Sequence, residues 1–470
     1  MTPWFVQSLP VIIILSLQWL VGVTQGLAST PVDDATTEQK KILQAVRLEH
    51  AAEVERGFSL FGEQVVDNDS SPIIQSFTDQ DFVVRAVGSG RAGPDEASLG
   101  HGDHIFQTTR PIVSDAECEA LIQEANAVIT QRLESESTLD PAGTATPTNS
   151  QLGEAPVSSL PQARQWLRNA LHERFFPLLE SRFGVKAADL TLHDALIIGY
   201  GYFGGGSTSQ PVHRDSSLLS LNVALSPLAD YQGGGTFFEG LSPESSTVYN
   251  ERGHVLCHAG GNAHAGRGIA QGHRWVLVLF CIAKEKPQLA RRCHARGMTE
   301  RSQGLLNEAV LTFHAGLSQA PRDHLLWTSL GGVYMEQKRE TAARGCLARA
   351  ASNYPNCIKA HLSLGRTLLA QRKPRAALRR FDAILDWLQD RDLKDGVWEP
   401  YRALGYDARV YGAQAALLAS REAKRRGVED FDWRRHTQQA MERSKISLLA
   451  APNDPRIPQM LDFAKELLLY

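Results

Sequence analysis

The stretch His213-Arg-Asp-Ser-Ser-Leu-Leu-Ser-Leu-Asn-Val-Ala-Leu225 places an imidazole and a carboxylate two residues apart, directly before an apolar run. Side chains two residues apart on an extended strand project to the same face. The apolar run at 218–225 predicts a strand. An HxD pair alone is a weak signal, because a chain with 15 histidines is expected to contain one by chance. A second copy, His101-Gly-Asp103, lies in a glycine-rich stretch and is interpreted as such a chance match.

A second histidine and an arginine give the first pair a chemical context. His264 lies 49 residues after Asp215, and Arg274 opens a further apolar run ten residues later. Two histidines and one carboxylate on one face of a metal leave coordination positions open, which is the ligand set of non-haem Fe(II) oxygenases. An arginine can bind a carboxylate through two parallel N–H···O bonds, which lysine cannot reproduce. His213, Asp215, His264 and Arg274 therefore predict a metal site beside an anion-binding group.

Short apolar runs bounded by Gly, Ser, Pro and Asp surround these residues, at 195–202, 218–225, 236–239, 253–257 and 273–282. They predict a β-barrel or β-sandwich rather than alternating βαβ units. The sequence before these runs predicts three helices: one over 35–58, one that starts at Ser114-Asp115, and one over 161–176. The Ser-, Thr-, Pro- and Gly-rich stretch 134–159 predicts an exposed loop, and no structure is assigned from about 59 to 103.

The chain after about residue 288 has helical periodicity and an internal repeat. Trp327, Leu330, Gly331 and Tyr334 make the pattern W-x2-L-G-x2-Y, and shifting Leu330 and Gly331 by 34 positions gives another Leu-Gly pair. Ala343 and Leu347 have apolar equivalents 34 positions away in both directions, at 309, 313, 377 and 381. The pattern resembles the tetratricopeptide repeat (TPR), and the alternative is an ordinary helical bundle. TPR-like arrays bury a continuous core by stacking and offer a concave face to a partner.

The segment from about 105 to 286 resembles the Fe(II)/2-oxoglutarate dioxygenase domain of the prolyl 4-hydroxylase and lysyl hydroxylase group. The resemblance rests on His213-Arg-Asp215-Ser-Ser, Leu221-Asn-Val-Ala-Leu225 and Asp230-Tyr-Gln-Gly-Gly-Gly-Thr-Phe-Phe238, together with His264 and Arg274. It covers under half of the chain. It implies a double-stranded β-helix, a jelly-roll-like fold with flanking helices, that acts as a 2-oxoglutarate-dependent dioxygenase.

The same resemblance implies roles for individual residues. Iron would be bound by His213, Asp215 and His264, and the distal carboxylate of 2-oxoglutarate by Arg274. Tyr202 matches a tyrosine that contacts the cosubstrate, and Tyr200 is the alternative residue for that role. Asn222 matches a polar position of the same pocket. O2 is the second cosubstrate, and L-ascorbate is expected as a further cofactor. No other catalytic residue is implied beyond the metal centre.

Two other features near the ligands are given structural interpretations. His258 could be mistaken for the distal metal ligand, but the residue ten positions after it is Gly268 rather than an arginine. We therefore interpret His258 as a packing or supporting histidine. Gly233-Gly-Gly235 is interpreted as a turn or bulge between strands, because glycine adopts backbone conformations that other residues avoid.

Composition limits the remaining possibilities. Of the 470 residues, 43% are hydrophobic and 21% are charged, which excludes wholesale disorder and a polytopic membrane protein. The 49 basic and 52 acidic residues nearly balance, so no nucleic-acid partner is expected. Six cysteines are too few for a disulfide-built scaffold, although they permit a few bridges in an oxidising compartment.

The N-terminus predicts export. The chain from 9 to 23 is almost wholly apolar, and Gly26 and Ala28 follow it. This run is shorter than the roughly 20 residues of a membrane-spanning helix, and its position predicts a secretory signal peptide. No Lys or Arg precedes it, so an uncleaved membrane anchor is the alternative. The chain then divides into a signal peptide or anchor (1–28), a variable N-terminal region (29–103), a dioxygenase domain (104–287) and TPR-like repeats (288–470).

Three functions remain open at this point. The first is a hydroxylase acting on peptidyl proline or lysine in the secretory pathway, in the lumen of the endoplasmic reticulum, with the repeats recruiting a protein or peptide substrate. The second is a dioxygenase that acts on a small molecule or another non-peptide substrate. The third is a TPR-type binding protein whose oxygenase domain has lost turnover, against which the intact ligand set argues.

Overall fold

The structure is a computed structural model that describes residues 32–62, 74–87, 99, 101–139, 153–201, 209–389, 391, 393 and 396–469. The predicted signal peptide at 1–28 and Tyr202 lie outside these residues. The described chain contains an N-terminal helix, a region of antiparallel sheets with flanking helices, and a helical C-terminal region. The sequence predicted both the sheets and the helical repeats.

All the described strands pair in antiparallel fashion, and in chain order they are β1 (Phe82–Ala86), β2 (His104–Thr108), β3 (Gly153–Pro156), β4 (Leu190–Tyr200), β5 (Leu219–Ala224), β6 (Tyr231–Gly233), β7 (Thr236–Phe238), β8 (Thr247–Val248), β9 (Val255–Ala259), β10 (His264–Gly266), β11 (Ile269–Gly272) and β12 (Arg274–Ala283). The main sheet has the strand order β1-β2-β9-β5-β12-β4-β3. Two smaller sheets have the orders β10-β7-β8 and β11-β6. Each apolar run named from the sequence therefore overlaps a strand within the described residues.

The described helices are α1 (Val32–Phe61), α2 (Asp115–Leu139), α3 (Pro161–Ala170), α4 (Phe176–Phe183), α5 (Leu289–Ser302), α6 (Leu306–Gln319), α7 (His324–Glu336), α8 (Glu340–Asn353), α9 (Ile358–Ala370), α10 (Pro374–Leu388), α11 (Glu399–Arg426), α12 (Trp433–Ala450) and α13 (Arg456–Leu469). The predicted start of α2 is confirmed, and Ser114 and Glu117 exchange hydrogen bonds there. The Ser114 backbone N–H donates to the Glu117 carboxylate at 2.8 Å, while the Glu117 N–H donates to the Ser114 hydroxyl at 3.4 Å. This capping box satisfies two backbone donors at the helix start.

The two faces of the main sheet have different partners. Ile197 and Leu277 project to one face and are buried with residues of α2, α3 and α4 in the largest core cluster. Tyr200 and Val276 project to the other face and are buried in a separate cluster, which Ile269 of β11 joins. The alternation of side chains along each strand produces this division. The flanking helices therefore cover one face, and the smaller sheets approach the other.

The sheet extends beyond the predicted start of the dioxygenase domain at residue 104. β1 lies in the stretch to which the sequence assigned no structure, and it pairs with β2. β3 lies inside the predicted loop 134–159, where that prediction was wrong, and pairs with β4. Both are edge strands of the sheet. An edge strand is held along one side only and tolerates polar residues and proline, which explains why its pattern is weak.

The predicted helix over 161–176 is confirmed, but it contains an irregular turn and extends further than predicted. A π-type turn over Leu171–Phe175 separates α3 from α4, and the helical path continues to Phe183. Pro177 lies in the first turn of α4 and has no N–H to donate to the carbonyl four residues earlier. The wider turn before it accommodates that missing hydrogen bond.

Helices α5 to α10 form three successive antiparallel pairs that repeat one contact. A Cβ added at Gly297, Gly331 or Gly365 would lie 2.5–2.7 Å from a large side chain of the second helix of the pair. Those side chains are Phe313, Leu347 and Phe381 respectively. Successive members of both sets are 34 residues apart. The small residue therefore lets the two helices approach, which is the physical basis of the predicted repeat.

Helix α1 contacts both the sheet region and the repeats. Ile42 and Val46 are buried against Leu289, Cys293 and Ala315 of the first helix pair. Further along α1, His50 Nε2 lies 3.0 Å from the carbonyl oxygen of residue 283, at the end of β12. The same helix therefore joins the two regions.

The described residues also bear on two compositional expectations. All six cysteines are buried free thiols, so the disulfides that the composition permits are not formed. Within the described part of the chain, no helix is both long and apolar enough to span a bilayer.

Candidate metal centre

The three predicted ligands are positioned by backbone hydrogen bonds between neighbouring segments. His213 and His264 form an antiparallel bridge, with N···O distances of 2.9 and 3.0 Å in the two directions. The Asp215 N–H donates to the carbonyl of Gly260 at 2.9 Å. The chain before β5 is thereby fastened to the turn and strand that carry His264. Residues 49 positions apart in sequence meet because of these pairings.

The side chains of these residues converge. Ligand atoms of His213, Asp215 and His264 all lie within 4.8 Å of one another. Each carboxylate oxygen faces one imidazole: Oδ1 lies 3.5 Å from His213 Nε2, and Oδ2 lies 3.5 Å from His264 Nε2. The side chains of Asp215 and His264 are 4% and 11% exposed, whereas that of His213 is 32% exposed. The cluster is therefore enclosed except on the His213 side.

Backbone carbonyls determine which ring nitrogen of each histidine is free. His213 Nδ1 lies 2.8 Å from the carbonyl of Pro211, and His264 Nδ1 lies 2.9 Å from that of Asn262. A carbonyl only accepts, so each Nδ1 carries the proton and donates. Each Nε2 is then left with a lone pair directed at the cluster, as in histidines that bind metals.

Two serines support the carboxylate, and sequence reasoning missed both. The Ser220 hydroxyl donates to Asp215 Oδ2, and the Ser217 and Ser220 hydroxyl oxygens are 2.8 Å apart. Both serines are fully buried. Ser220 lies on β5, within an apolar run of the sequence, and shares its face of the strand with Asn222 and Ala224. A buried serine in a predicted core strand was therefore a usable signal.

The pKa values of all three side chains are shifted, and the shifts of Asp215 and His264 suit metal binding. Burial opposes ionisation of Asp215, but the neighbouring His264, His213 and His258 outweigh it and hold the carboxyl pKa below its usual value. Burial lowers the pKa of His264 to about 3. Burial also lowers the pKa of His213, but its hydrogen bond and attraction to Asp215 prevail, and the net pKa is raised. At neutral pH the cluster therefore offers a carboxylate and a neutral His264.

Arg274 lies on the same face of the main sheet as Tyr200, its partner across β12 and β4. It is 5% exposed, and its guanidinium carbon lies 5.0 Å from the centre of the Tyr200 ring. Burial raises the pKa of both Tyr200 and Tyr231, and the charge of the neighbouring Arg274 opposes this rise. The buried Nη1 of Arg274 has no hydrogen-bond partner among the described residues. An unpaired N–H of a buried charged group is costly, so this atom indicates an anionic ligand.

Glycines make the room around Arg274 and Tyr200. Gly233, Gly234 and Gly235 have φ values of 84°, 69° and 88°, which confirms the predicted turn. A Cβ at Gly234 would lie 3.1 Å from the Arg274 side chain, and one at Gly266 would collide with the Tyr200 hydroxyl. Gly266 follows His264 by two residues on β10. The Tyr200 side chain therefore contacts both Arg274 and β10, the strand that carries His264.

The remaining predicted residues, Asn222 and Tyr202, are predicted to line the cosubstrate pocket rather than to bind the metal. Asn222 lies half-buried on β5, on the same face as Ser220, and pairs with Leu256 and Val278 of the neighbouring strands. Tyr202, predicted to contact the cosubstrate, lies outside the described residues. Tyr200, its alternative, is the tyrosine that contacts Arg274.

His258 lies beside the ligand cluster, whereas the second HxD copy at His101 lies away from it. His258 is buried, with its ring centre 4.5 Å from that of His264, and its Nδ1 bonds the carbonyl of residue 259. It packs on the ligand and is absent from the set whose donor atoms converge. His101 is exposed, and Asp103 pairs instead with His104 at 2.7 Å. The second HxD copy therefore lies apart from the converging set, although β2 follows it directly.

Comparison with known proteins gives two curated relatives with nearly the same sequence identity to this chain. The chain is 34% identical over 121 residues to the 2-oxoglutarate and iron-dependent oxygenase domain-containing protein 2 of Mus musculus, covering 24% of this chain and 34% of that protein. It is 33% identical over 125 residues to the protein of the same name from Homo sapiens, covering 25% and 35%. The chain thus spans about a third of the length of the curated relatives it matches. No protein-family model matches the chain.

Solved structures overlap with parts of the molecule. The TPR protein YrrB covers 39% of this chain and 89% of its own, at 13% identity and a TM-score of 0.27. The non-haem alpha-ketoglutarate-dependent epimerase SnoN covers 41% and 81%, at 16% identity and a TM-score of 0.30. TM-scores of this size carry no functional weight. About a quarter of this chain is homologous to proteins named as 2-oxoglutarate and iron-dependent oxygenases.

Proposed function

We propose that this protein is an Fe(II)- and 2-oxoglutarate-dependent dioxygenase that hydroxylates a C–H bond. One observation carries the proposal: a His–Asp–His cluster whose free donor atoms converge, on the same side of the sheet as a buried arginine with an unpaired N–H. Two imidazole nitrogens and a carboxylate suit ferrous iron and leave positions for a cosubstrate. The homology to named 2-oxoglutarate and iron-dependent oxygenases supports the same assignment. The paired antiparallel sheets support a double-stranded β-helix.

Each residue has a defined task in this proposal. His213, Asp215 and His264 would hold the iron, which when bound supplies the activation of O2 and the oxidation of the substrate. Ser220 and the carbonyls of residues 211 and 262 keep those ligands oriented and in the correct protonation state. Arg274 would bind the distal carboxylate of 2-oxoglutarate, with the Tyr200 ring limiting where that carboxylate can lie. The buried walls around Arg274 exclude water and so strengthen this ion pair.

The substrate that we propose is a peptidyl proline or lysine. The motif Asp230-Tyr-Gln-Gly-Gly-Gly-Thr-Phe-Phe238 supports this class, because it resembles lysyl hydroxylases. A helical repeat array supports a protein or peptide partner. The apolar N-terminus supports the secretory pathway and the lumen of the endoplasmic reticulum, with L-ascorbate as a reductant that maintains the iron.

The proposal is tested with the purified full chain, Fe(II), 2-oxoglutarate and ascorbate. Peptides containing proline or lysine should gain one oxygen atom by mass spectrometry, in step with succinate formation. His213→Ala and Asp215→Ala should abolish both products, while His101→Ala should leave them unchanged. Products that persist in the ligand variants would overturn the site. Oxidation of a non-peptide compound alone would overturn the substrate class and leave the dioxygenase assignment standing.

A further inference from the structure

The short segment 212–217, which carries two of the three proposed ligands, is fastened at both ends to the helical C-terminal region. At its start, the N–H of Val212 donates to the carbonyl of Val397 at 3.0 Å. At its end, Arg291 Nη1 donates to the carbonyl oxygens of Asp215 and Ser217, at 3.1 and 2.6 Å. Val397 lies two residues before the start of α11, and Arg291 lies in the first turn of α5. Both attachments come from outside the sheets.

The Arg291 contacts act on the backbone of the ligand itself. Asp215 and Ser217 are buried, so their carbonyls have little water to bond. A charged donor satisfies both acceptors at once, and such hydrogen bonds are stronger than neutral ones. The segment also continues into Ser220, whose hydroxyl holds the Asp215 carboxylate. Arg291 therefore fixes the backbone from which both the carboxylate and its supporting serine are directed.

The third ligand is held from the same side. Phe237 and Ala265 of the small sheet are buried with Val397 and Trp398. The rings of Phe237 and Trp398 are 5.1 Å apart, edge to face. Ala265 follows His264 directly on β10. The helical region thus packs against the strand that carries His264 as well as the segment that carries His213 and Asp215.

A polar contact extends this attachment. The Tyr401 hydroxyl donates to Glu239 at 2.8 Å, at the end of β7. β7 pairs with β10, with Phe238 opposite His264. A small cavity lined by Arg214, Glu239, Asn262 and Tyr354 also lies here, between the two regions. The Tyr401–Glu239 hydrogen bond therefore joins the helical region to the end of the strand that pairs with β10.

We propose that the helical region is a structural component of the metal centre, with Arg291 as a positioning residue that holds Asp215 and Ser217 in place for metal binding. The proposal rests on the function proposed above, because it takes the His–Asp–His cluster as the metal site. An array that served only to dock partners would not need to bond the backbone of a ligand. Here the first helix of the array does so.

The test measures metal affinity in the full chain. Mn(II) binding is followed by electron paramagnetic resonance of the free ion, and Co(II) binding by its visible absorption. Arg291→Gln should weaken Mn(II) binding about tenfold, the range found when groups that orient metal ligands are removed. Arg291→Lys, which keeps the charge and one donor, should recover part of the affinity. The Co(II) spectrum of Arg291→Gln should differ from the wild-type spectrum.

Arg292→Gln is the matched control on the same helix. Arg292 bonds the carbonyl of Pro287 and the carboxylate of Glu53, so it joins elements without touching the ligand segment. Its substitution should lower the melting temperature while leaving Mn(II) affinity and the Co(II) spectrum unchanged.

The outcomes separate the two proposals. If the wild type binds no metal, or binds it equally after His213→Ala, the proposed function fails. If the wild type binds metal at the cluster and Arg291→Gln binds it equally well with the same spectrum, the positioning role of Arg291 is overturned. If Arg292→Gln weakens binding as much as Arg291→Gln, the effect is general destabilisation and the positioning role is likewise overturned.

Discussion

The Arg274 guanidinium lies 5.0 Å above the ring of Tyr200, the residue opposite it in the sheet, and its Nη1 lacks a hydrogen-bond partner among the described residues. A planar guanidinium held against a ring presents its remaining N–H groups in one direction. Lysine has neither the planar fork nor the stacking surface. The pair therefore defines both where an anionic ligand binds and how it is oriented.

Arg274→Lys should raise the KM for 2-oxoglutarate at least tenfold and change kcat much less, because the residue binds the cosubstrate away from the reacting atoms. Steady-state succinate formation at varied 2-oxoglutarate concentration measures both constants. Arg267→Lys is the control, since Arg267 bonds the Thr247 hydroxyl on the small sheet. An unchanged KM in Arg274→Lys would contradict the assignment.

Ser220→Ala should weaken metal binding about tenfold, because the Asp215 carboxylate loses the hydroxyl that orients it. Isothermal titration with Mn(II) measures the change. Ser226→Ala is a matched control: this buried serine accepts from the backbone N–H of residue 275, on the same sheet but away from the ligands. Equal metal affinities of the two variants would mean that Ser220 has no role in orienting the ligand.

Glu117 should make folding stability depend on acid pH. Burial opposes its ionisation, but hydrogen bonds from Arg174, Trp166 and Ser114 prevail and lower its pKa from 4.5 to about 2. Because the folded pKa is depressed, the stabilisation is fully present above pH 4.5 and is lost as the pH falls towards 2. Glu117→Gln should cost about 2 kcal/mol at neutral pH. Urea unfolding should show this difference at pH 7 and a much smaller one at pH 3; equal differences at both would contradict the prediction.

Gly365→Ala should destabilise the repeats, because its Cβ would lie 2.6 Å from the Phe381 ring. Overpacking of this kind costs about 1–3 kcal/mol. Gly345→Ala is the contrasting variant, since a Cβ there meets nothing within 4 Å on an exposed face of α8. Alanine in a helix interior gains about 0.5–1 kcal/mol over glycine. Thermal unfolding should therefore shift in opposite directions, and a shared direction would refute the packing argument.

The sequence predicted those parts of the site that depend on short spacing. His213 and Asp215 are two residues apart, and His264 and Arg274 are separated only by the end of β10, the short strand β11 and their connections. Arg291 and Val397 gave no such signal, because they reach the ligand segment from a different region of the chain. The choice between Tyr200 and Tyr202 was open for a related reason: residues two positions apart in a predicted strand are expected on the same face.

The repeat was predictable because its constraint is periodic. Gly331 and Gly365 were found in the expected register, and the same 34-residue step places Gly297 one unit earlier. The edge strands β1 and β3 were missed because each is short, pairs along one side only and contributes a single residue, Phe82 or Ala155, to the main apolar core. Periodic packing thus leaves a pattern in the sequence, whereas single long-range contacts do not.

Helix α1 has a consequence for how the molecule comes apart. Its first half is buried against α5 and α6, and its second half contacts the end of β12. The direct connection between the two regions runs through the exposed residues Lys284 and Glu285. A protease that cuts this connection would leave fragments that still migrate together on a sizing column. They would separate only in denaturant, so a single cleaved bond would be invisible under native conditions.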